Sequence, residues 1–309
     1  DYIAGQKKKE SLIPIVRYNS DKGTGFGVKG PIDLGNFGEL DIAALYWTND
    51  IWEGRFDYSY EVFDSFTVFA NVNHLYNKDT MDTKWRPMWG ARYEKNGWLA
   101  QLLWAERQLV GNEITTDVTV DYDVWKKPEF SIYSPAIKEG LLGGSLRFFA
   151  IWGKYSDNIT QYQWINRLAY GASYQSNPNW SMGIFKPYFG LAFAHYDYYD
   201  NDKTQDVTNA YLGLRYNFGA FNFTSTYRRR WGDVAGSPMG WDRYGDEESF
   251  VQSISFPLPF GASWEKWNLN VVGTYDMLLD KLSSMNYVLT YNKHCTTWQE
   301  WVRDKITEN

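Results

Sequence analysis

The chain has 309 residues, 19% of them aromatic, and a formal net charge of -6. Its pI near 5.2 argues against a nucleic-acid binder, which is basic overall or in one patch. No stretch approaches the roughly 18–20 apolar residues that a membrane helix needs, and the single cysteine, Cys295, allows neither an internal disulfide nor a zinc site of clustered Cys and His.

A barrel strand needs only about 9–11 residues, with every second one apolar. Such a chain is hydrophilic on average, as this one is with a mean hydropathy of -0.52. In chain order, "GTGFG" (Gly23 to Gly27) is no dinucleotide fingerprint, because its spacing is wrong and no helix follows. It reads as a small-residue strand where a neighbour or a bend comes close. In "DIWEGRFDYSYE", Trp52, Phe56, Tyr58 and Tyr60 oppose Glu53, Arg55, Asp57, Ser59 and Glu61. In "FTVFANVNHLY", Phe66, Val68, Ala70 and Val72 oppose Thr67, Asn71 and Asn73. Turn signals follow at "KNG" (Lys95 to Gly97) and at Gly111. "DVTVDYD" sets Asp117, Asp121 and Asp123 on one face.

"WKKPEFSIYSPAIKEGLLGG" (Trp125 to Gly144) has two prolines and little alternation. It reads as a long extracellular loop and as the best candidate to fold into a pore. "NPN" (177 to 179), "DND" (200 to 202) and "FGAF" at Gly219 mark further turns. "AFNFTSTYRRRW" puts Phe221, Phe223 and Tyr227 on lipid and Arg228 and Arg230 in the lumen. Arg229 falls on the lipid side. It is tolerated at headgroup level, where the cost is about 0–1 kcal/mol against about 2–4 at the midplane, and Trp231 marks the same interface. "GDVAGSPMGWDRYGDEES" (Gly232 to Ser249) is a second long extracellular loop. "WNLNVVGTYDM" alternates again, and "DMLLDKLSSM" (Asp276 to Met285) reads as a strand end plus a turn.

The pattern predicts an all-β, transmembrane antiparallel β-barrel of about 14–16 strands. It forms one domain, 1–309, with 1–10 as a lead-in, in the bacterial outer membrane. A soluble sandwich would expose few Trp and Tyr. Here they gather near strand ends (Trp47 with Trp52, Trp85 with Trp89, Trp98 with Trp104), as interfacial girdles do. Alternation nominates Glu53, Arg55, Asp57, Glu61, Arg86, Arg92, Glu94, Arg107, Asp117, Asp121, Asp123, Arg147, Arg167, Arg228 and Arg230 as lumen-lining charges. Opposed acidic and basic walls would set a transverse field across a pore. His195 and Asp197 share a face, the arrangement of a His/Asp pair in a barrel hydrolase. No nucleophilic Ser can be nominated beside them, so no enzyme, cofactor or metal is expected.

Two segments carry a family resemblance. "YDMLLDKLSSMNYVLTYNKHCTTWQEWVRD" (Tyr275 to Asp304), with Tyr291, His294, Cys295 and Trp298, resembles the closing strands of the lipopolysaccharide-assembly outer-membrane protein (LptD) family. "LIPIVRYNSDKGTGFGVKGPIDLGNFGELDIAALYWTN" is similar to that family's first strands and supplies Pro14 and Pro31. The resemblance implies delivery of lipopolysaccharide to the outer leaflet, the saccharide passing through the lumen and the acyl chains leaving through a seam between first and last strands. Pro14 and Pro31 suit such a seam, because proline cannot donate to a ladder. The implied partners are outer-membrane lipids, lipopolysaccharide, a plug lipoprotein and periplasmic bridge proteins. The family's N-terminal jelly-roll domain has no counterpart here. The alternative reading is a passive diffusion porin for small hydrophilic solutes.

Overall fold

The computed structural model describes residues 12–19, 22–77, 81–113, 119–138, 143–158, 163–177, 179–258, 267–293 and 296–305. They form one 17-stranded sheet. Its strands are β1 (Ile13–Asn19), β2 (Gly23–Asp33), β3 (Glu39–Trp47), β4 (Trp52–Phe63), β5 (Phe66–Asn77), β6 (Asp82–Lys95), β7 (Trp98–Glu113), β8 (Thr119–Tyr133) and β9 (Ser145–Asp157). Then come β10 (Ile165–Gln175), β11 (Phe185–Tyr198), β12 (Lys203–Phe218), β13 (Phe221–Trp231), β14 (Glu247–Pro257), β15 (Trp267–Asp276), β16 (Lys281–Lys293) and β17 (Thr296–Lys305). Two 3₁₀ turns, Gly35–Phe37 and Gly240–Asp242, lie in connections between strands.

Each strand pairs antiparallel with the next, from β1–β2 through β16–β17. This is the up-and-down wall of a transmembrane barrel, with one strand more than the upper limit of 14–16 that the spacing predicts. Because register carries from strand to strand, the side-chain alternation of one strand assigns faces to all. Trp85, Trp89, Phe130, Trp152, Leu191, Leu212 and Phe250 lie on the outer face and are solvent-exposed in the isolated chain. The opposite face carries the polar and charged residues.

Turns 64–65, 96–97 and 219–220 of two residues lie at one end of the wall, and the long connection 232–246 lies at the other. Outward-facing rings gather at both rims. The short-turn rim stacks Phe63 on Phe66 and Tyr216 on Phe223. The far rim stacks Trp52 on His74, with Trp85 edge-on. Between them, Phe221 to Arg229 covers roughly 27 Å along β13 at about 3.4 Å per residue. At a tilt of about 40° that is roughly 20 Å of depth, close to the apolar band of about 25 Å that such barrels show.

Close approach accounts for the glycines of β2. A Cβ on Gly27 would lie 1.9 Å from the Ala44 carbonyl oxygen, and one on Gly25 would meet the Trp47 ring. The 125–144 segment is not a long loop. Trp125 to Tyr133 belongs to β8, and Pro128 falls inside a register shift between Lys126 and Glu129. A bulge is where a strand tolerates proline, since no ladder bond is required of it there. The connection that does remain lies at the short-turn end.

Candidate functional site: a lumen crossed by a docked loop

Loop 232–246, between β13 and β14, turns into the barrel and docks on the lumen face of β8–β12. Its 3₁₀ turn places Asp242 and Trp241 in the interior, both buried. Asp242 Oδ2 accepts a charge-assisted hydrogen bond from Arg167 Nη1 at 2.6 Å and one from the Tyr198 hydroxyl at 2.7 Å. Gln205 Nε2 donates to the Asp242 carbonyl at 3.0 Å, and the Gly240 amide donates to Asp157 Oδ2 at 2.9 Å. The Arg167 guanidinium also lies over the rings of Tyr155 at 4.5 Å and Trp241 at 4.8 Å. Tyr122, Val124, Tyr155, Ile165, Tyr198, Met239 and Trp241 form the apolar core of the molecule. A barrel of this kind ordinarily has its apolar surface outside, so this core is a plug built within the lumen. Burial pushes the Tyr244 hydroxyl up, with Asp242 and Tyr196 acting in the same direction and Arg167 against it.

A second element joins the plug. The β6–β7 ladder runs only from Lys95↔Trp98 to Met88↔Ala105, and β7 then bulges, with Arg107 at φ +55°. Beyond the bulge the β7–β8 hairpin is tied to β6 by a side chain. Arg86 donates to the Arg107 carbonyl and forms a buried ion pair with Asp123. One face of this hairpin, with Leu109, borders a recess beside Asn71, Asn73 and Arg86. Its other face, with Tyr122, meets the loop at Gly240.

The remaining predicted positions fall as follows. Glu53 is on the lumen face of β4, where it accepts from Lys22 Nζ at 2.6 Å and Trp47 Nε1 at 2.9 Å. Arg55 and Asp57 pair with each other beside it. Glu61 and Arg92 follow on lumen faces of β4 and β6, as does Glu94. Arg107 sits in the bulge, where alternation does not assign a face. Asp117 lies outside the described residues; Asp121 shares the Asp123 face of β8. The acidic wall read from "DVTVDYD" is therefore not an open one at Asp123, whose carboxylate is spent on Arg86. Arg147 is on the lumen face of β9, register partner of Ser173.

Arg228 and Arg230 are on the lumen face of β13, with Arg230 paired to Glu247 at 3.0 Å and donating to the Gly245 carbonyl at 2.8 Å. Arg229 faces outward, paired with Glu248 and 5.6 Å from the Trp231 ring. Pro14 faces outward opposite Val28, and Pro31 faces the lumen opposite Asp41. Pro31 borders a recess of about 510 Å³ with Lys29, Asp41, Arg55 and Asp57. His195 faces outward near the far rim, bonded to Asp206 at 2.6 Å and Asp197 at 3.2 Å. His294 and Cys295 lie outside the described residues.

Lysines and arginines without a carboxylate partner among the described residues dominate the β9–β13 wall: Arg147, Lys186, Arg215 and Arg228. Arg215 lies over the Tyr188 ring at 4.7 Å. The β3–β6 wall across the barrel holds Asp41, Glu61 and Glu94 in addition to its cations. Sequence reasoning missed Asp242, Asp157 and Gln205. Their partners are far away in sequence, and a loop has no period to read.

Fold and lumen together define an integral membrane β-barrel with a constricted, polar interior. No family model and no curated protein matches the sequence. Among solved structures, the crystal structure of Pseudomonas aeruginosa OccK3 (OpdO) is similar at a TM-score of 0.48 and 13% identity, over 90% of this chain and 80% of that one. At that identity nothing about its cargo carries over.

Proposed function

We propose that the protein is an outer-membrane diffusion channel for small hydrophilic solutes, with the two-residue turns in the periplasm and loop 232–246 entering from outside. The observation that carries this reading is the docked loop. It fills one side of the lumen and leaves the other side, along β14–β16 and β2–β5, lined by hydroxyls, amides and charges. Ser253 and Ser255 hydrogen-bond Asn270 and Asn268 there, a wettable surface that offers both donors and acceptors. The cationic β9–β13 wall facing a mixed wall orients dipolar solutes across the path. Liposome swelling is the test: reconstituted protein should admit monosaccharides faster than tetrasaccharides. Swelling indistinguishable from empty liposomes would sink the reading.

A second reading, lateral delivery of lipopolysaccharide, is favoured by one observation. No ladder joins β1 to β17 among the described residues. With seventeen antiparallel strands these two run in the same direction, so a direct pair would be parallel, the slightly weaker arrangement. Against it stands the plug, which occupies lumen that a saccharide would need. Unchanged surface lipopolysaccharide after depletion of the protein would remove this second reading.

A further inference from the structure

The lipid face of β13–β14 carries a polar pair at the depth where hydrocarbon lies. Ser225 and Gln252 are register partners. Both point outward, since Thr226 and Val251 beside them share the lumen face with Arg228. Their outward neighbours are apolar or aromatic: Phe223 and Tyr227 along β13, Phe250 and Ile254 along β14. Leu214 on β12 and Gly273 on β15 complete the surround. Gln252 lies roughly 10 Å below Glu248, at about 3.4 Å per residue and a tilt of about 40°, near the middle of the band.

Ser225 Oγ donates to Gln252 Oε1 at 2.6 Å, and Gln252 Nε2 donates to the Ser253 carbonyl at 3.3 Å. A glutamine amide has two N–H donors and two acceptor lone pairs. One of each is left over among the described residues, and lipid offers no partner. Asn71, Asn209, Asn270 and Asn286 face the lumen, and the outward Asn166 sits at a strand end bonded to Asp200, so Gln252 in mid-wall is out of pattern. Gly273 opposite it adds no side chain of its own, and the sulfur of its register partner Met285 leans over that position.

We propose that this face is the contact between two copies of the chain, related by a twofold axis along the membrane normal. Copies inserted in the same orientation present the same residue at the same depth. An amide is self-complementary, so two Gln252 side chains facing across the axis each donate and accept. The Arg229–Glu248 pair above them is self-complementary in the same way. A threefold contact would be heterologous and would place Gln252 against another part of the wall.

The test uses the full chain in lipid nanodiscs. In a Cys295→Ser background, Gln252→Cys should cross-link to a covalent dimer on mild oxidation, while Val72→Cys, on the lipid face of the opposite wall, should not. Gln252→Leu, which suits lipid, should leave the barrel folded and weaken dimerisation by about tenfold in mass photometry, the scale of one or two such hydrogen bonds. A monomeric or trimeric wild type, equal cross-linking at both positions, or unchanged dimerisation of the leucine variant would overturn the proposal.

Discussion

At the scale of single residues, the interior is governed by two buried arginines. Arg167 has given up water for one carboxylate and several aromatic faces. Removing Asp242 leaves that cation buried without its counter-charge, which costs about 3–5 kcal/mol. The cost falls on the docked loop, because the strands beneath keep their ladders. Asp242→Ala should therefore release loop 232–246 without unfolding the barrel. Trypsin should then cut faster after Arg243, whose side chain is exposed but whose backbone is held beside the buried Trp241 and Asp242; equal resistance of the variant and the wild type would count against the docked arrangement. Gly27 makes the opposite kind of prediction. A valine there meets the Ala44 carbonyl, and overpacking of about 1–3 kcal/mol or more should show as a lower unfolding temperature of the whole barrel. An unchanged temperature would mean that β2 and β3 are further apart than the structure has them.

At the scale of elements, β13 is the clearest case of alternation setting function. Its odd positions from Phe221 to Tyr227 face lipid and its even positions face the lumen. Cysteines introduced at Asn222 and Arg228, both exposed on the lumen face, should react with a hydrophilic thiol reagent, and cysteines at Phe223 and Tyr227 should not; the reverse pattern would invert the wall. This much was legible in the sequence, because a strand with one buried face writes its period into every second residue. Arg229 was legible too, as the one cation of β13 on the lipid face, though not its partner Glu248 on the next strand. The plug was not legible. Asp242 and Arg167 are separated by 75 positions, and nothing local ties a Gly-rich loop to a distant guanidinium. The 125–144 segment misled for a physical reason: proline and broken alternation mark a loop and a bulge alike. The bulge at Arg107 likewise ends the parity by which Asp123 was placed on an open wall.

At the scale of the whole molecule, the apolar surface is distributed in two places, a lipid-facing band and a core inside the lumen. The second of these is what turns an open cylinder into a narrow path, since the loop and the β7–β8 hairpin pack on each other across the interior. A channel of this design conducts through what the plug leaves free, and its conductance should respond to the plug alone. The deciding measurement is single-channel conductance in planar bilayers, comparing the wild type with a variant in which residues 235–242 are replaced by a short glycine linker. The account predicts a small, steady conductance for the wild type and a several-fold larger one for the variant. Equal conductances, or none from either protein, would contradict it.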